Sequence, residues 1–210
     1  MQESLAFPQS LTEKYRPQTI AGFAGIEQAK KMMSKLRDNP FPSAWLFLGP
    51  SGTGKTTMAL ALAAELKAEV HHIPSQECNV ENVSYVMRLC QYVPWSGGFH
   101  LVLVDEADQM SNAAQLAFLS RLDSTAFPPS TIFIFTCNST DRFESRFISR
   151  CRLIEFSSYG LSAPLVALLE RVWQAEGGNG NCPNLARLVK ESNNNARESL
   201  LKLELHLLAS

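Results

Sequence analysis

The chain has 210 residues, of which 45% are hydrophobic and 19% are charged, and its formal net charge is −1. This size permits one large folded domain, or one with a small second domain. A charge this close to zero argues against bulk attraction to nucleic acid or to a membrane surface, although it permits a local basic face. The sequence has no apolar run near the ~18 residues of a membrane span, and its amino terminus lacks the basic-then-apolar order of a signal peptide. We therefore expect a cytoplasmic protein without a membrane partner.

Short apolar runs alternate with helical patterns along the first three quarters of the chain, which predicts an α/β fold with a parallel five-stranded sheet flanked by helices. We expect strands at 44–48, 69–73, 100–105, 131–136 and 152–156. We expect helices near 26–38, 55–67, 80–92, 112–123 and 143–149. Ser111 or Asn112 is predicted to cap the fourth of these helices.

The remainder of the chain predicts helices alone, near 162–176, 184–192 and 196–209, with a flexible linker at 177–181. We therefore predict a core over 1–158 and a small helical domain over 159–210. The last helix carries more leucines than one face of a small domain would bury, at positions 200, 201, 203, 205, 207 and 208. Either the core of the small domain takes them all, or some of them form a docking surface.

The five cysteines are an odd number without a C-x-x-C pair, so they indicate neither a disulfide framework nor a zinc site. We expect them to be reduced and mostly structural. The four histidines show no ligand spacing either, and the adjacent His71 and His72 should point to opposite faces of a strand.

The turn between the first strand and the helix that follows it is a glycine-rich run: Gly49, Pro50, Ser51, Gly52, Thr53, Gly54, Lys55, Thr56 and Thr57. Its G-x-x-x-x-G-K-T pattern is that of a phosphate-binding loop, whose glycines let backbone amides point at an anion. The positive end of the helix dipole is aimed at the same place. Lys55 would reach the β- and γ-phosphates, and the Thr56 hydroxyl would bind Mg²⁺. The alternative is a glycine-rich turn that matches by accident, but the strand before it and the helix after it favour nucleotide binding.

Polar residues also end the third and fourth predicted strands. Asp105 would bind Mg²⁺, and Glu106 would polarise a water molecule for attack on the γ-phosphate. Acidic residues at strand ends often serve as helix caps instead, but a phosphate-binding loop upstream favours Mg²⁺-dependent ATP hydrolysis. Asn138 could hold the attacking water or the γ-phosphate, although an asparagine taken alone is more often a turn former.

Five motifs, in this order and spacing, resemble the AAA+ ATPases of DNA clamp loaders: KYRP at 14–17, LGPSGTGKTT at 48–57, VDEAD at 104–108, TCN at 136–138 and SRC at 149–151. Replication factor C small subunits carry a similar KYRP and DEAD, and the segment 80–108 is similar to the bacterial clamp-loader motor subunit. The resemblance covers about residues 11–157 and, more loosely, 184–205. It implies a P-loop AAA+ core with a helical lid, and a protein that couples ATP hydrolysis to assembly or remodelling on DNA.

The resemblance also implies roles for single residues. Asp105 matches the Mg²⁺ aspartate, Glu106 the catalytic base and Asn138 the sensor-1 position. Arg150 matches an arginine finger that acts in trans on the γ-phosphate of a neighbouring subunit. The alternative for Arg150 is a solvated surface arginine, the more common fate of any single arginine.

Two further segments match parts of the family that enclose the nucleotide. Arg197, in NNARESL, resembles the sensor-2 arginine of the lid, which touches the γ-phosphate in cis. Tyr15, Arg16 and Gly25 match the segments around the adenine base. The implied cofactors are ATP and Mg²⁺, and the implied partners are like or related AAA+ subunits, a sliding clamp and DNA.

The chain departs from the family in two respects. It lacks the zinc-binding cysteines of the bacterial motor subunit, and its sequence stops at residue 210, where clamp-loader subunits continue into a helical collar. We therefore expect a relative without a collar, or one that assembles differently. Two other functions stay open: another AAA+ remodeller, such as a helicase loader or branch-migration motor, and a non-hydrolysing ATP-binding assembly module. The intact Lys55, Asp105 and Glu106 argue against the second.

Overall fold

The computed structural model describes residues 9–95, 98–123, 126–178 and 182–208. Its centre is a parallel five-stranded sheet in the order β2-β3-β4-β1-β5, which confirms the predicted fold class. The strands are β1 (Ser43–Leu48), β2 (Glu69–Pro74), β3 (His100–Asp105), β4 (Thr131–Cys137) and β5 (Arg152–Glu155). Each strand end lies within one residue of its prediction.

The helices also follow the predicted order, after an additional short helix near the amino terminus. They are α1 (Leu11–Lys14), α2 (Glu27–Asp38), α3 (Lys55–Leu66), α4 (Val80–Leu89), α5 (Asn112–Leu122), α6 (Ser145–Ile148), α7 (Ser162–Ala175), α8 (Leu185–Glu191) and α9 (Ala196–Leu208). The Ser111 hydroxyl accepts a hydrogen bond from the Ala114 amide at 3.2 Å, which confirms Ser111 as the cap of α5. The linker predicted at 177–181 and the predicted end of the last helix at 209 lie partly outside the described residues.

Two predicted helices are shorter than expected, each for a local reason. The segment after α4 tightens into i→i+3 turns, because the amides of Gln91 and Tyr92 donate to carbonyls three residues back. Helix α6 begins only after Glu144, whose ψ of 139° is extended rather than helical.

Side chains alternate between the two faces of the sheet and give each face its own apolar core. In β3, Val102 and Val104 pack with α4, α5 and α6, whereas Leu101 and Leu103 pack with α2 and α3. All four side chains are fully buried. Helices therefore cover both faces of the sheet. The polar candidate residues lie at the carboxyl ends of the strands, where ligands bind in sheets of this kind.

Helices α7, α8 and α9 pack around a third apolar cluster. Leu200 and Leu203 of α9 are buried in it, together with Leu11 from α1. Three other leucines of α9 are exposed to solvent: Leu201, Leu205 and Leu208. The cluster thus does not take every leucine of that helix. Among the described helices, none has the length and apolar character needed to cross a membrane.

Two leucines of α5 provide a test of the first core. Leu119 is 7% exposed and Leu116 is 45% exposed. We expect Leu119→Ala to lower the free energy of unfolding by about 2–5 kcal/mol, since it removes buried methyl groups and leaves a cavity. The same substitution at Leu116 should cost less than about 1 kcal/mol, because most of that side chain already meets water. Urea denaturation measures both, and equal losses would contradict this assignment of the core.

Candidate nucleotide-binding site

The shape of the loop between β1 and α3 is fixed by the conformations of its glycines and by its own hydrogen bonds. Gly52 and Gly54 have φ values of 78° and 95°, which L-residues rarely adopt. The Thr53 hydroxyl donates to the Pro50 carbonyl at 2.8 Å and is itself buried. The loop closes at its start as well, because the Gly49 amide donates to the Cys137 carbonyl of β4 at 3.1 Å. These contacts produce a concave backbone at the first turn of α3.

Lys55 extends into this concavity. Its Nζ donates to the carbonyls of Gly49 and Pro50 at 2.6 and 2.9 Å and to Oδ1 of Asn138 at 3.1 Å. Burial lowers the pKa of this lysine from its ordinary value, while the Cys137 thiol and the Asp105 carboxylate act in the opposite direction. The structure thus brings Lys55 together with Asn138, two residues that the sequence predicted as neighbours of the phosphates.

Asp105 lies at the end of β3, beside the first turn of α3. Its Oδ1 accepts a hydrogen bond from the Thr56 hydroxyl at 2.7 Å and another from the Thr136 hydroxyl. A hydroxyl and a carboxylate oxygen in contact are the hard oxygen donors that Mg²⁺ prefers, so this pair fits the predicted metal. Sequence reasoning assigned no role to Thr136, although it begins the TCN motif, because nothing in the sequence shows that its hydroxyl meets Asp105.

Glu106 follows with an unusual backbone. Its φ of 51° and ψ of 46° are left-handed, a conformation that costs a non-glycine residue energy and is often found at functional sites. The Glu106 amide donates to the Thr136 hydroxyl at 3.1 Å, and the side chain is exposed at the mouth of the cleft. The carboxylate therefore faces the space above the loop, with no side-chain contact restraining it among the described residues.

An apolar cleft adjoins the loop, and a mainly apolar lining is typical of small-molecule sites. Tyr15, Arg16 and Arg197 line it, together with Leu161 and Leu165. The Tyr15 hydroxyl donates to the carboxylate of Glu176, and this bond together with burial raises the pKa of Tyr15 to about 12.

Gly25 does not line this cleft. A Cβ at that position would lie 2.4 Å from Cδ2 of Leu161, so Gly25 instead allows a close approach between the core and α7. The structure therefore places Tyr15 and Arg16 together at the cleft and Gly25 behind it.

The helical part of the chain contacts the loop directly. Asn195 donates from Nδ2 to the Ser51 carbonyl at 2.7 Å, while its Oδ1 caps α9 by accepting from the Glu198 amide at 3.2 Å. Arg197, on the first turn of α9, lines both the loop side and the apolar side of the cleft. The helix-cap pattern at Asn195 was readable in the sequence, but its partner in the loop was not.

Arg150 lies away from this cleft. Its Nε donates to Oδ1 of Asp123 at 2.7 Å, and its Nη1 donates to the Arg146 carbonyl at 2.8 Å. The side chain is 31% exposed. Arg150 is not among the described residues that line either side of the cleft in its own chain.

Comparison with known proteins agrees with this geometry. Residues 45–159, more than half of the chain, match the family model described as "ATPase family associated with various cellular activities (AAA)". The chain belongs to the AAA family. The matched range contains the loop, Asp105, Glu106, Asn138 and Arg150, so this part of the chain is an AAA nucleotide-binding core.

Two curated relatives of this AAA chain are archaeal. The replication factor C small subunit 1 of Pyrobaculum islandicum is 35% identical over 153 residues, which are 69% of this chain and 46% of that protein. The replication factor C small subunit of Methanothermobacter thermautotrophicus is 29% identical over 151 residues, again 69% and 46%. The chain thus spans about half the length of the curated relatives it matches.

A solved structure with the same fold is the Thermotoga maritima RuvB Holliday junction branch migration motor. The two superpose with a TM-score of 0.76, covering 90% of this chain and 64% of that one, at 18% sequence identity. At this identity the likeness supports the fold alone.

A glycine pair tests the contact between the loop and the lid helix α9. Gly52 and Gly160 have φ values of +78° and +76°, but a Cβ on Gly52 would lie 2.3 Å from Oδ1 of Asn195, whereas one on Gly160 would meet nothing within 4 Å. We expect Gly160→Ala to cost about 1–2 kcal/mol of backbone strain. Gly52→Ala should cost a further ~0.5–1.5 kcal/mol, because Asn195 must leave the Ser51 carbonyl. Urea denaturation compares them, and equal losses would mean that the contact contributes nothing.

Proposed function

We propose that this AAA chain binds and hydrolyses ATP and, as in a clamp loader, couples that cycle to assembly or remodelling on DNA. The observation that carries the proposal is the convergence of Lys55 with Asn138 and of Thr56 with Asp105 in one cleft. The replication factor C names of the curated relatives support the clamp-loader type. Because the chain spans only about half of those proteins, its DNA and sliding-clamp partners are part of the proposal.

Different residues of the cleft would bind the phosphates, the Mg²⁺ ion and the base of ATP. The backbone of the loop from Gly49 to Thr57 and the Lys55 ammonium would bind the phosphates, and Thr56 and Asp105 would hold Mg²⁺. Tyr15 and Arg16 would border the base. Bound Mg²⁺ supplies positive charge that offsets the phosphate oxygens.

The residues around the γ-phosphate position would carry out the chemistry. Glu106 would accept a proton from the attacking water, and its exposed position at the cleft mouth leaves room for that water. Asn138, which contacts Lys55, would orient the same water or the γ-phosphate. Arg197 would add a cation from the lid helix α9.

Arg150 would complete the site of a neighbouring subunit rather than its own. Its place outside the cleft and its exposure support this role, and Asp123 would hold the guanidinium until a neighbour binds. We also propose the division into a core over 1–158 and a lid over 159–210, since α7, α8 and α9 have their own apolar cluster. Asn195 is hydrogen-bonded to the loop, so opening of that lid would carry Asn195 and Arg197 away from it.

Glu106→Gln separates hydrolysis from binding. We expect the variant to bind ATP as tightly as the wild type and to lose at least about 10²-fold in turnover, since only the general base is removed. Lys55→Ala is the contrasting variant, and it should lose nucleotide binding, because the fixed cation of the loop is gone. Titration with a labelled ATP analogue and a steady-state phosphate assay measure both. Turnover at the wild-type rate in Glu106→Gln would assign the general base to another residue, whereas a wild-type protein without turnover would favour the non-hydrolysing assembly module.

Arg150→Ala tests the assembly. We expect it to retain ATP binding and to lose about 10³–10⁵-fold in turnover, the range attributed to an arginine finger. Arg146→Ala is the matched control, since Arg146 is a neighbouring exposed arginine that pairs with Glu144.

Mixing then distinguishes a finger in trans from one in cis. Glu106→Gln subunits cannot hydrolyse ATP but still offer Arg150, so they should restore part of the activity of Arg150→Ala subunits. Turnover is measured across mixing ratios, with co-assembly established by light scattering. Absence of recovery despite co-assembly would place Arg150 in cis or outside the mechanism.

The DNA and protein partners are tested by measuring ATP turnover with and without primed DNA and a sliding clamp. A clamp-loader type predicts that the two together stimulate hydrolysis more than either alone. Stimulation by a four-way DNA junction alone, with no response to the clamp, would instead support a branch-migration motor.

A further inference from the structure

Three side chains with metal-binding atoms meet at the edge of the sheet, away from the nucleotide cleft. They are His71 of β2, Cys90 just after α4, and His100 at the start of β3, and their ligand atoms all lie within 4.8 Å of one another. Cys90 and His100 are buried, and His71 is half-buried. His100 is about 16 Å from Asp105 along β3, at about 3.3 Å per residue. The sequence spacing gave no sign of this cluster, because each member comes from a different element.

The hydrogen bonds of His100 fix which of its nitrogens is free to bind a cation. Its Nε2 lies 3.0 Å from the Tyr92 carbonyl oxygen, which can only accept, so Nε2 carries the proton. The lone pair is therefore on Nδ1, which faces Nε2 of His71 at 2.9 Å. A metal-bound histidine usually donates a hydrogen bond from the N–H of its other ring nitrogen to an acceptor such as a backbone carbonyl.

The two ring nitrogens are spaced almost as they would be in a tetrahedral site, and the Cys90 sulfur lies within 4.8 Å of both. Two nitrogens at ~2.0–2.1 Å from Zn²⁺ are about 3.3 Å apart at the tetrahedral angle. The 2.9 Å between the two rings needs only a few tenths of an ångström of widening. We infer that His71, Cys90 and His100 form a structural Zn²⁺ site, in which the cation takes the place of the proton that the two rings share.

Binding of Zn²⁺ releases one proton in total. His71 gives up the proton on Nε2 and takes one from solvent on Nδ1, so the ring stays neutral. The Cys90 thiol releases one proton when its sulfur binds Zn²⁺ as the thiolate. Imidazole and thiolate together favour Zn²⁺ over Mg²⁺, which prefers oxygen donors.

Glu69 borders the open side of the cluster. Its carboxylate oxygens lie 4.0 Å from Nε2 of His71 and 3.9 Å from Nδ1 of His100. One thiolate and one carboxylate would neutralise the two charges of Zn²⁺, so Glu69 is suited to the fourth position, directly or through a water molecule. Glu69 also accepts a hydrogen bond from the Trp95 amide at 2.9 Å.

The site would stabilise a surface that is otherwise weakly held. Strand β2 lies at the edge of the sheet, and among the described strands it pairs with β3 alone. The segment after α4 carries three apolar side chains that are 73%, 85% and 99% exposed, those of Tyr92, Val93 and Trp95. His100 and Glu69 contact the backbone of that segment. A cation bound to His71, Cys90 and His100 would therefore join β2, β3, α4 and this segment.

Cobalt spectroscopy on the full chain tests the proposal. The background is Cys182→Ser, because Cys182 is the exposed thiol. After treatment with a chelator, the protein is titrated with Co²⁺ and then with Zn²⁺. We expect one Co²⁺ per chain, with the visible bands of a tetrahedral ion and a near-ultraviolet thiolate-to-cobalt band, both removed by Zn²⁺. Octahedral Co²⁺ bound by Thr56 and Asp105 would give no thiolate band.

Variants identify the ligands. Cys90→Ser should abolish the thiolate band, and His71→Gln and His100→Gln should weaken Co²⁺ binding by at least ~100-fold, since loss of an outer-shell partner alone costs about 10–100-fold. Cys78→Ser is the matched control, a buried cysteine outside the cluster, and should bind Co²⁺ like the wild type. Far-ultraviolet circular dichroism checks that each variant is folded.

The melting temperature of the Cys182→Ser protein, called the parent here, is a second measurement that needs no buried substitution. Zn²⁺ should raise Tm of the parent in a concentration-dependent way and leave that of His71→Gln unchanged. A parent protein that shows neither a thiolate band nor a Tm shift would overturn the proposal. A thiolate band that persists in Cys90→Ser would do the same.

Discussion

The arrangement of the nucleotide cleft depends on one buried cation. The Lys55 side chain is 8% exposed, and removing an ammonium from water is costly unless oxygen acceptors replace the water. Two loop carbonyls and Asn138 supply those acceptors, so the loop is folded around the lysine and tied to the end of β4. An anionic group such as a phosphate would offset this charge better than neutral carbonyls do, which is why a loop built this way is prepared for an anion.

The same loop connects the sheet to the helices that we propose as a lid. Asn195 bridges the Ser51 carbonyl to the first turn of α9, and Lys14 and Tyr15 bind Glu176, which directly follows α7. These contacts lie on two sides of the apolar cleft. A ligand that displaces Lys55 from the loop carbonyls would therefore shift the loop backbone to which Asn195 is hydrogen-bonded. The position of the helices that we propose as a lid would then depend on whether the cleft is occupied.

The sequence predicted the features that depend on residues close together in the chain. The three central strands, β1, β3 and β4, are mostly apolar, and the glycine pattern of the loop is typical of phosphate binding, so the sheet and the positions of Lys55, Thr56 and Asp105 could be predicted. The contacts that join distant segments could not. Arg150 meets Asp123 across 27 residues, Asn195 meets Ser51 across 144, and Tyr15 meets Glu176 across 161. No local pattern encodes such pairs, because each depends on where the packed elements bring two exposed or half-exposed side chains together.

Strand β2 shows how one local rule produces two environments. His71 and His72 are adjacent, and alternation along a strand sends them to opposite faces, as the sequence predicted. His72 places its Nε2 3.9 Å from Oδ2 of Asp105, at the nucleotide cleft, while His71 joins Cys90 and His100 on the other face. An edge strand has only one neighbour to hold its register, and a slip by one residue would exchange the two histidines. Contacts that fix His71 therefore also fix the distance between His72 and Asp105, so order at the edge of the sheet reaches the cleft through the backbone of a single strand.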